Sequence, residues 1–225
     1  MRVAMSLIEL VFAIVIMGIA VMSLPLILTQ VQNNNAFAMQ QEAILAGKKT
    51  ISAILTSAWD IKSYPNSDTN VSSPYVLDVS NGDPALDRFP NTNMRIGHVK
   101  TNNRRKFYDS NTSASNITEN GFNDINSFDG DITKIILEEN AKTLDYVLDF
   151  DVKSNISYAN DQADYSQKIL NNFTFNPQVH GATTNIKTIT VTVRDKSDNN
   201  KTMITFHAFR SQTGDNILLT TRPYQ

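Results

Sequence analysis

Glu9 stands alone as a charged residue in the apolar run from Leu7 to Leu28, and its carboxylate is the group in this chain whose position most calls for a chemical reason. Taking an acidic side chain into a bilayer costs about 2.5 to 3.5 kcal/mol even on insertion scales, so such groups usually act with a partner. The other groups capable of chemistry are scattered. His98, His180 and His207 are far apart and match no metal-ligand spacing. Cysteine is absent, which removes disulfides, thiolate metal sites and thiol nucleophiles together. Gly-x-Ser-x-Gly, His-Glu-x-x-His and a phosphate-binding glycine loop do not occur, so catalysis is disfavoured and no cofactor is expected. Asp129-Gly130-Asp131 offers oxygens to calcium but lacks the spacing that ends in a bidentate Glu, and reads better as a turn. Arg104, Arg105 and Lys106 precede Phe107 and Tyr108, a cluster able to hold phosphates and stack bases. A solvated loop is the better reading, because 20 Lys and Arg against 22 Asp and Glu leave a net charge of -2 and no basic field for nucleic acid.

The elements that carry these residues follow from patterning. The Leu7 to Leu28 run exceeds the roughly 20 apolar residues a helix needs to cross a membrane. It is too long for a signal-peptide apolar stretch, is followed by Thr29-Gln30-Val31-Gln32 rather than a small-residue cleavage site, and has Arg2 ahead of it. Helix-type spacing continues to Trp59, with Phe37, Ile44, Ile51, Ile54, Leu55 and Ala58 on one stripe. Tyr64 to Pro74 reads as an exit loop. Short strands are expected at Tyr75 to Val79, Arg95 to Val99, Ile132 to Leu137 and Leu144 to Val152, and a short helix at Asp161 to Leu170. The clearest strand signal is a hairpin: Ile189, Val191 and Val193 alternate with threonines, Asp195 to Asn200 turns the chain, and Ile204, Phe206 and Ala208 alternate on the return.

The string Ala4-Met5-Ser6-Leu7-Ile8-Glu9-Leu10, followed by the apolar run with Gly18 and Pro25, resembles the processing motif of type IV prepilins and type II secretion pseudopilins. The resemblance covers about the first tenth of the chain directly. It implies cleavage between Ala4 and Met5 by a membrane prepilin peptidase, with Ala4 standing where Gly is commoner. It further implies N-methylation of Met5, and pairing of Glu9 with the Met5 amine of a neighbouring subunit in the filament. Gly18 and Pro25 fit the family's helix, which they can loosen.

The expected architecture is therefore α+β and pilin-like: a long amino-terminal helix packed on a carboxy-terminal antiparallel β-sheet head. It divides into leader 1–4, transmembrane and assembly helix 5–28, amphipathic continuation 29–60 and periplasmic head 61–225. The resemblance implies a structural subunit, a minor pilin or pseudopilin, in the inner membrane of a Gram-negative bacterium and then in a pilus or pseudopilus. Its partners would be other subunits, the prepilin peptidase and the inner-membrane assembly platform. Two alternatives stay open: a periplasmic binding module that uses the helix only as a tether, and a DNA-uptake minor pilin with Arg104 to Lys106 as receptor.

Overall fold

The computed structural model describes residues 7–63, 74–80, 107, 113–117, 124–136, 149–161 and 174–212. One long helix, α1, runs Leu7–Thr56 with Pro25 inside it. At about 1.5 Å per residue it is long enough to cross a bilayer and continue beyond it. It stops three residues short of the expected Trp59, for a tertiary reason. Ser57 N–H still reaches back to the Ile54 carbonyl, but Ala58 pairs with Asp124, whose neighbour Ile125 donates its N–H to the Ala58 carbonyl at 2.9 Å. Cross-chain pairing takes over where helical hydrogen bonds end.

The chain divides into two compact units, Met1–Ile44 and Leu45–Gln225. The second holds a five-stranded sheet in the order β1-β2-β4-β5, with β3 attached to β2. The strands are β1 Ile132–Ile136, β2 Asp149–Asn160, β3 Asn176–Val179, β4 Ile186–Asp195 and β5 Lys201–Ser211. Among the described residues every pairing between these strands is antiparallel. The architecture is α+β, as patterning implied.

The hairpin forms in the expected register, with Ile189 opposite Ala208, Val191 opposite Phe206 and Val193 opposite Ile204. Its turn is held by Asp195, whose Oδ1 accepts from Ser197 N–H at 2.9 Å and from Ser197 Oγ–H at 2.5 Å. Asn199 and Asn200 adopt φ of 56° and 57°, the left-handed region that asparagine tolerates better than most residues.

Other expectations shift. β2 begins five residues later than Leu144 and continues eight beyond Val152, because Ser154 occupies an inward position and blunts the alternation. Among the described residues Tyr75 to Val79 makes only isolated parallel bridges, Val76 with Phe107 and Asp78 with Ser113. β3 was not legible, since Pro177 within it argues against a central strand, and it pairs with β2 only at Ala159 and Asn160. Arg95 to Val99, and the expected helix beyond Asp161, lie outside the described residues.

The buried side of α1 also differs from the expected stripe. Ile51, Ile54, Ala46 and Gly47 are buried, whereas Phe37, Ile44 and Leu55 are exposed. Counting about 100° per residue, Phe37 and Leu55 fall on one meridian well to the side of Ile54, with Gly47 close to Ile54's line. Small residues let the helix approach the sheet, and large ones end at the rim. A Cβ built on Gly47 would lie 2.4 Å from a Phe206 ring carbon and 3.1 Å from Val193 Cγ2. Gly47→Ala is therefore expected to destabilise despite alanine's advantage of about 1 kcal/mol in a helix. Overpacking costs about 1 to 3 kcal/mol, and Phe206→Leu in the same chain should relieve it. Thermal unfolding of the detergent-solubilised chain checks this. A Gly47→Ala midpoint at or above wild type, with no gain from the second change, would show the contact to be soft.

Candidate functional site

Two places combine unusual composition with definite geometry. The first is the start of α1. Its large apolar side chains from Leu7 to Leu28 are between 50 % and 81 % exposed around the whole circumference. Water is a poor solvent for such a surface, and hydrocarbon or other apolar helices are good ones. The helix is long and apolar enough to cross a membrane. Glu9 lies in its first turn, where the helix dipole favours a carboxylate. A Cβ added at Gly18 would meet nothing within 4 Å, so packing within the chain gives no reason for a glycine there. Pro25 removes one helical N–H, and hydroxyls bond back along the helix on either side of it. Ser23 donates to the Ala20 carbonyl at 2.9 Å, and Thr29 to the Pro25 carbonyl at 2.8 Å, a pattern that favours local bending.

The second place is a buried cation cluster under the carboxyl end of α1, which patterning did not reveal. Lys187 occupies the inward row of β4, two residues before Ile189, and its side chain is fully buried. Its ammonium donates to the Trp59 carbonyl at 2.6 Å, sits 3.8 Å above the Trp59 ring centre and 5.2 Å from that of Tyr158. Asp60 Oδ2 lies 3.9 Å away, so the carbonyl contact is the tighter one. Asp60 is held from elsewhere: Oδ1 accepts from Lys62 N–H at 2.9 Å and Ser115 Oγ–H at 3.0 Å, and Oδ2 from Ser115 N–H at 2.7 Å. Tyr158 donates its hydroxyl to the Ser115 carbonyl at 2.6 Å. From β5, the Arg210 guanidinium donates to the Ser57 carbonyl, while the Arg210 carbonyl accepts from Trp59 Nε1–H at 3.3 Å. Two cations thus meet the carbonyls that follow the last helical turn, the negative end of the dipole. With the Lys187 and Asp60 side chains fully buried and bonded, the cluster fastens the helix end to the sheet.

Ala4, Met5, Arg104, Arg105 and Lys106 lie outside the described residues, as does His98. His207 is exposed on β5 beside Thr190, with Nδ1 and Oγ1 3.3 Å apart, and His180 Nδ1 accepts from Ala182 N–H at 3.1 Å. Asp129 spends a carboxylate oxygen on Ile156 N–H at 2.7 Å, within a turn where Gly130 has φ of 73°. Among the described residues no group of three or more His, Asp and Glu is placed to hold a metal. The signal that could have exposed Lys187 was its register: a lysine continuing the series 189, 191, 193 must either break the inward face or be paired within it. Compared with known families, curated proteins and solved structures, the chain matches none.

Proposed function

We propose that this chain is a non-enzymatic filament subunit, a minor pilin or pseudopilin of a type IV pilus or type II secretion pseudopilus. The observation that carries the reading is the coincidence of two features at one end of α1. The helix presents apolar side chains on every side from Leu7 to Leu28, and its first turn bears Glu9 within Ser6-Leu7-Ile8-Glu9-Leu10. A tether needs the first feature only; an assembly helix needs both.

On this reading a prepilin peptidase cuts between Ala4 and Met5, and the new amine is methylated. The subunit waits in the inner membrane with its head in the periplasm until the assembly platform moves it into the filament. There Glu9 of one subunit faces the Met5 amine of another, and two charges that are each costly in hydrocarbon offset one another. Gly18 supplies a close-approach point for a neighbouring helix. Pro25 supplies the place where the helix loosens.

Intact mass and amino-terminal analysis of protein purified from the membrane test the proposal. A mature chain beginning at N-methyl-Met5 is expected. A chain beginning at unmodified Met1 would refute it and leave a plain tether.

A further inference from the structure

The outer face of the sheet, turned away from the row that packs on Gly47, holds a cleft of about 520 Å³. Its floor is two cross-strand rows: Ser157, Thr188 and Phe209 in one, Asn155, Thr190 and His207 in the other. The segment containing β3 forms one wall through Phe175, Pro177 and Val179, and the Phe175 and Phe209 rings meet with centroids 4.6 Å apart. Val179 and Phe209 are 73 % and 52 % exposed, an arrangement that leaves apolar surface facing an open cleft. A volume between about 300 and 1,000 Å³ with apolar walls and a few convergent polar groups is the usual form of a small-ligand site.

The lining narrows the ligand. Among the described residues that line it none is Lys, Arg, Asp or Glu, so an ion entering it would lose hydration with no countercharge from them. A hydrocarbon would be set against hydroxyls and an imidazole. Ser157 and Thr188 hydroxyls lie 2.7 Å apart, and Thr190 Oγ1 lies 3.3 Å from His207 Nδ1. Each hydroxyl has one donor and two acceptor positions, so these pairs keep capacity for a further bond. A peptide adding as a strand would pair along a sheet edge rather than across the floor, whose middle strand β4 is paired on both sides, with β2 and with β5. What remains is a neutral molecule with hydroxyls on its rim and C–H groups on its faces. We infer that this cleft binds a neutral saccharide. Its C–H face packs against the side of the Phe175 and Phe209 ring pair that is left open to the cleft, and its hydroxyls bond to Asn155, Thr190 and His207. The inference is independent of filament assembly.

The test is saturation-transfer difference NMR on the full chain in lauryldimethylamine oxide micelles, whose headgroup carries no sugar. The probes are cellobiose, lactose and N,N′-diacetylchitobiose. Saturation is expected on the ring C–H protons of at least one disaccharide, with affinity falling about tenfold, or 1.4 kcal/mol, in Phe209→Ala. Thr190→Val keeps the side-chain volume and should weaken binding in the same direction, which decides the matter if Phe209→Ala does not fold. No saturation of any of the three sugars would overturn the inference, as would saturation unaltered in the variants. Binding of an octanol or polyvaline probe in the cleft without any sugar would also overturn it.

Discussion

Lys187→Ala is expected to lower the stability of the sheet-bearing unit by about 3 kcal/mol or more, the usual result of removing one partner of a fully buried charged pair. Three losses combine. The Trp59 carbonyl forfeits a charge-assisted bond of 2.6 Å, the Trp59 and Tyr158 rings lose the cation beside them, and Asp60 loses the cation next to it in a place water does not reach. Lys187→Met retains most of the volume and should cost less. Asp60→Asn is not a benign partner for it. Both Asp60 oxygens accept hydrogen bonds, so an amide nitrogen at either position would meet a donor. Lys187→Met/Asp60→Asn should therefore remain clearly below wild type. Denaturant unfolding followed by Trp59 fluorescence measures all three, since this is the chain's one tryptophan and it lies in the cluster. A Lys187→Ala midpoint within error of wild type would mean that the cation contributes nothing to fastening the helix end.

Glu9→Ala should leave membrane insertion intact, or favour it by about 2.5 to 3.5 kcal/mol, because a carboxylate is removed from an apolar helix. If the chain is the filament subunit proposed, incorporation into filaments should nevertheless fall more than about tenfold, the effect of losing only 1.4 kcal/mol per added subunit. These opposite signs separate assembly from anchoring. Glu9→Gln, which keeps hydrogen-bonding capacity without charge, should resemble alanine if charge pairing is what matters. The measurement is the distribution of tagged subunit between membrane and sheared filament fractions. Normal incorporation of Glu9→Ala would remove the charge pairing, and with it the main reason to read α1 as an assembly surface.

Legibility followed the length over which a physical signal accumulates. The apolar run and the 189–193/204–208 hairpin were readable because each repeats one period over many residues, and both were found close to where patterning put them. β2 was half readable, since Ser154 at an inward position interrupts the apolar members of its alternation. β3 was not readable at all, being short and containing a proline, yet its segment makes one wall of the outer cleft. The helix stripe was misplaced in detail because hydrophobicity marks Phe37, Ile44 and Leu55, whereas close approach selects Ala46 and Gly47.

By itself the sequence determined a membrane-length apolar helix with a carboxylate in its first turn, and an antiparallel hairpin with one buried face. Both are properties of neighbouring residues in the chain, so no distant partner is needed to see them. Tertiary structure alone decided that Lys187 is a buried fastener rather than a surface charge, and that Gly47 is a contact point rather than a flexible spot. It alone set Ser157, Thr188, Asn155, Thr190, His207 and Phe209 side by side around one cleft. Those outcomes depend on which strands lie next to each other and on what closes over them, which is fixed by register and packing between segments tens of residues apart.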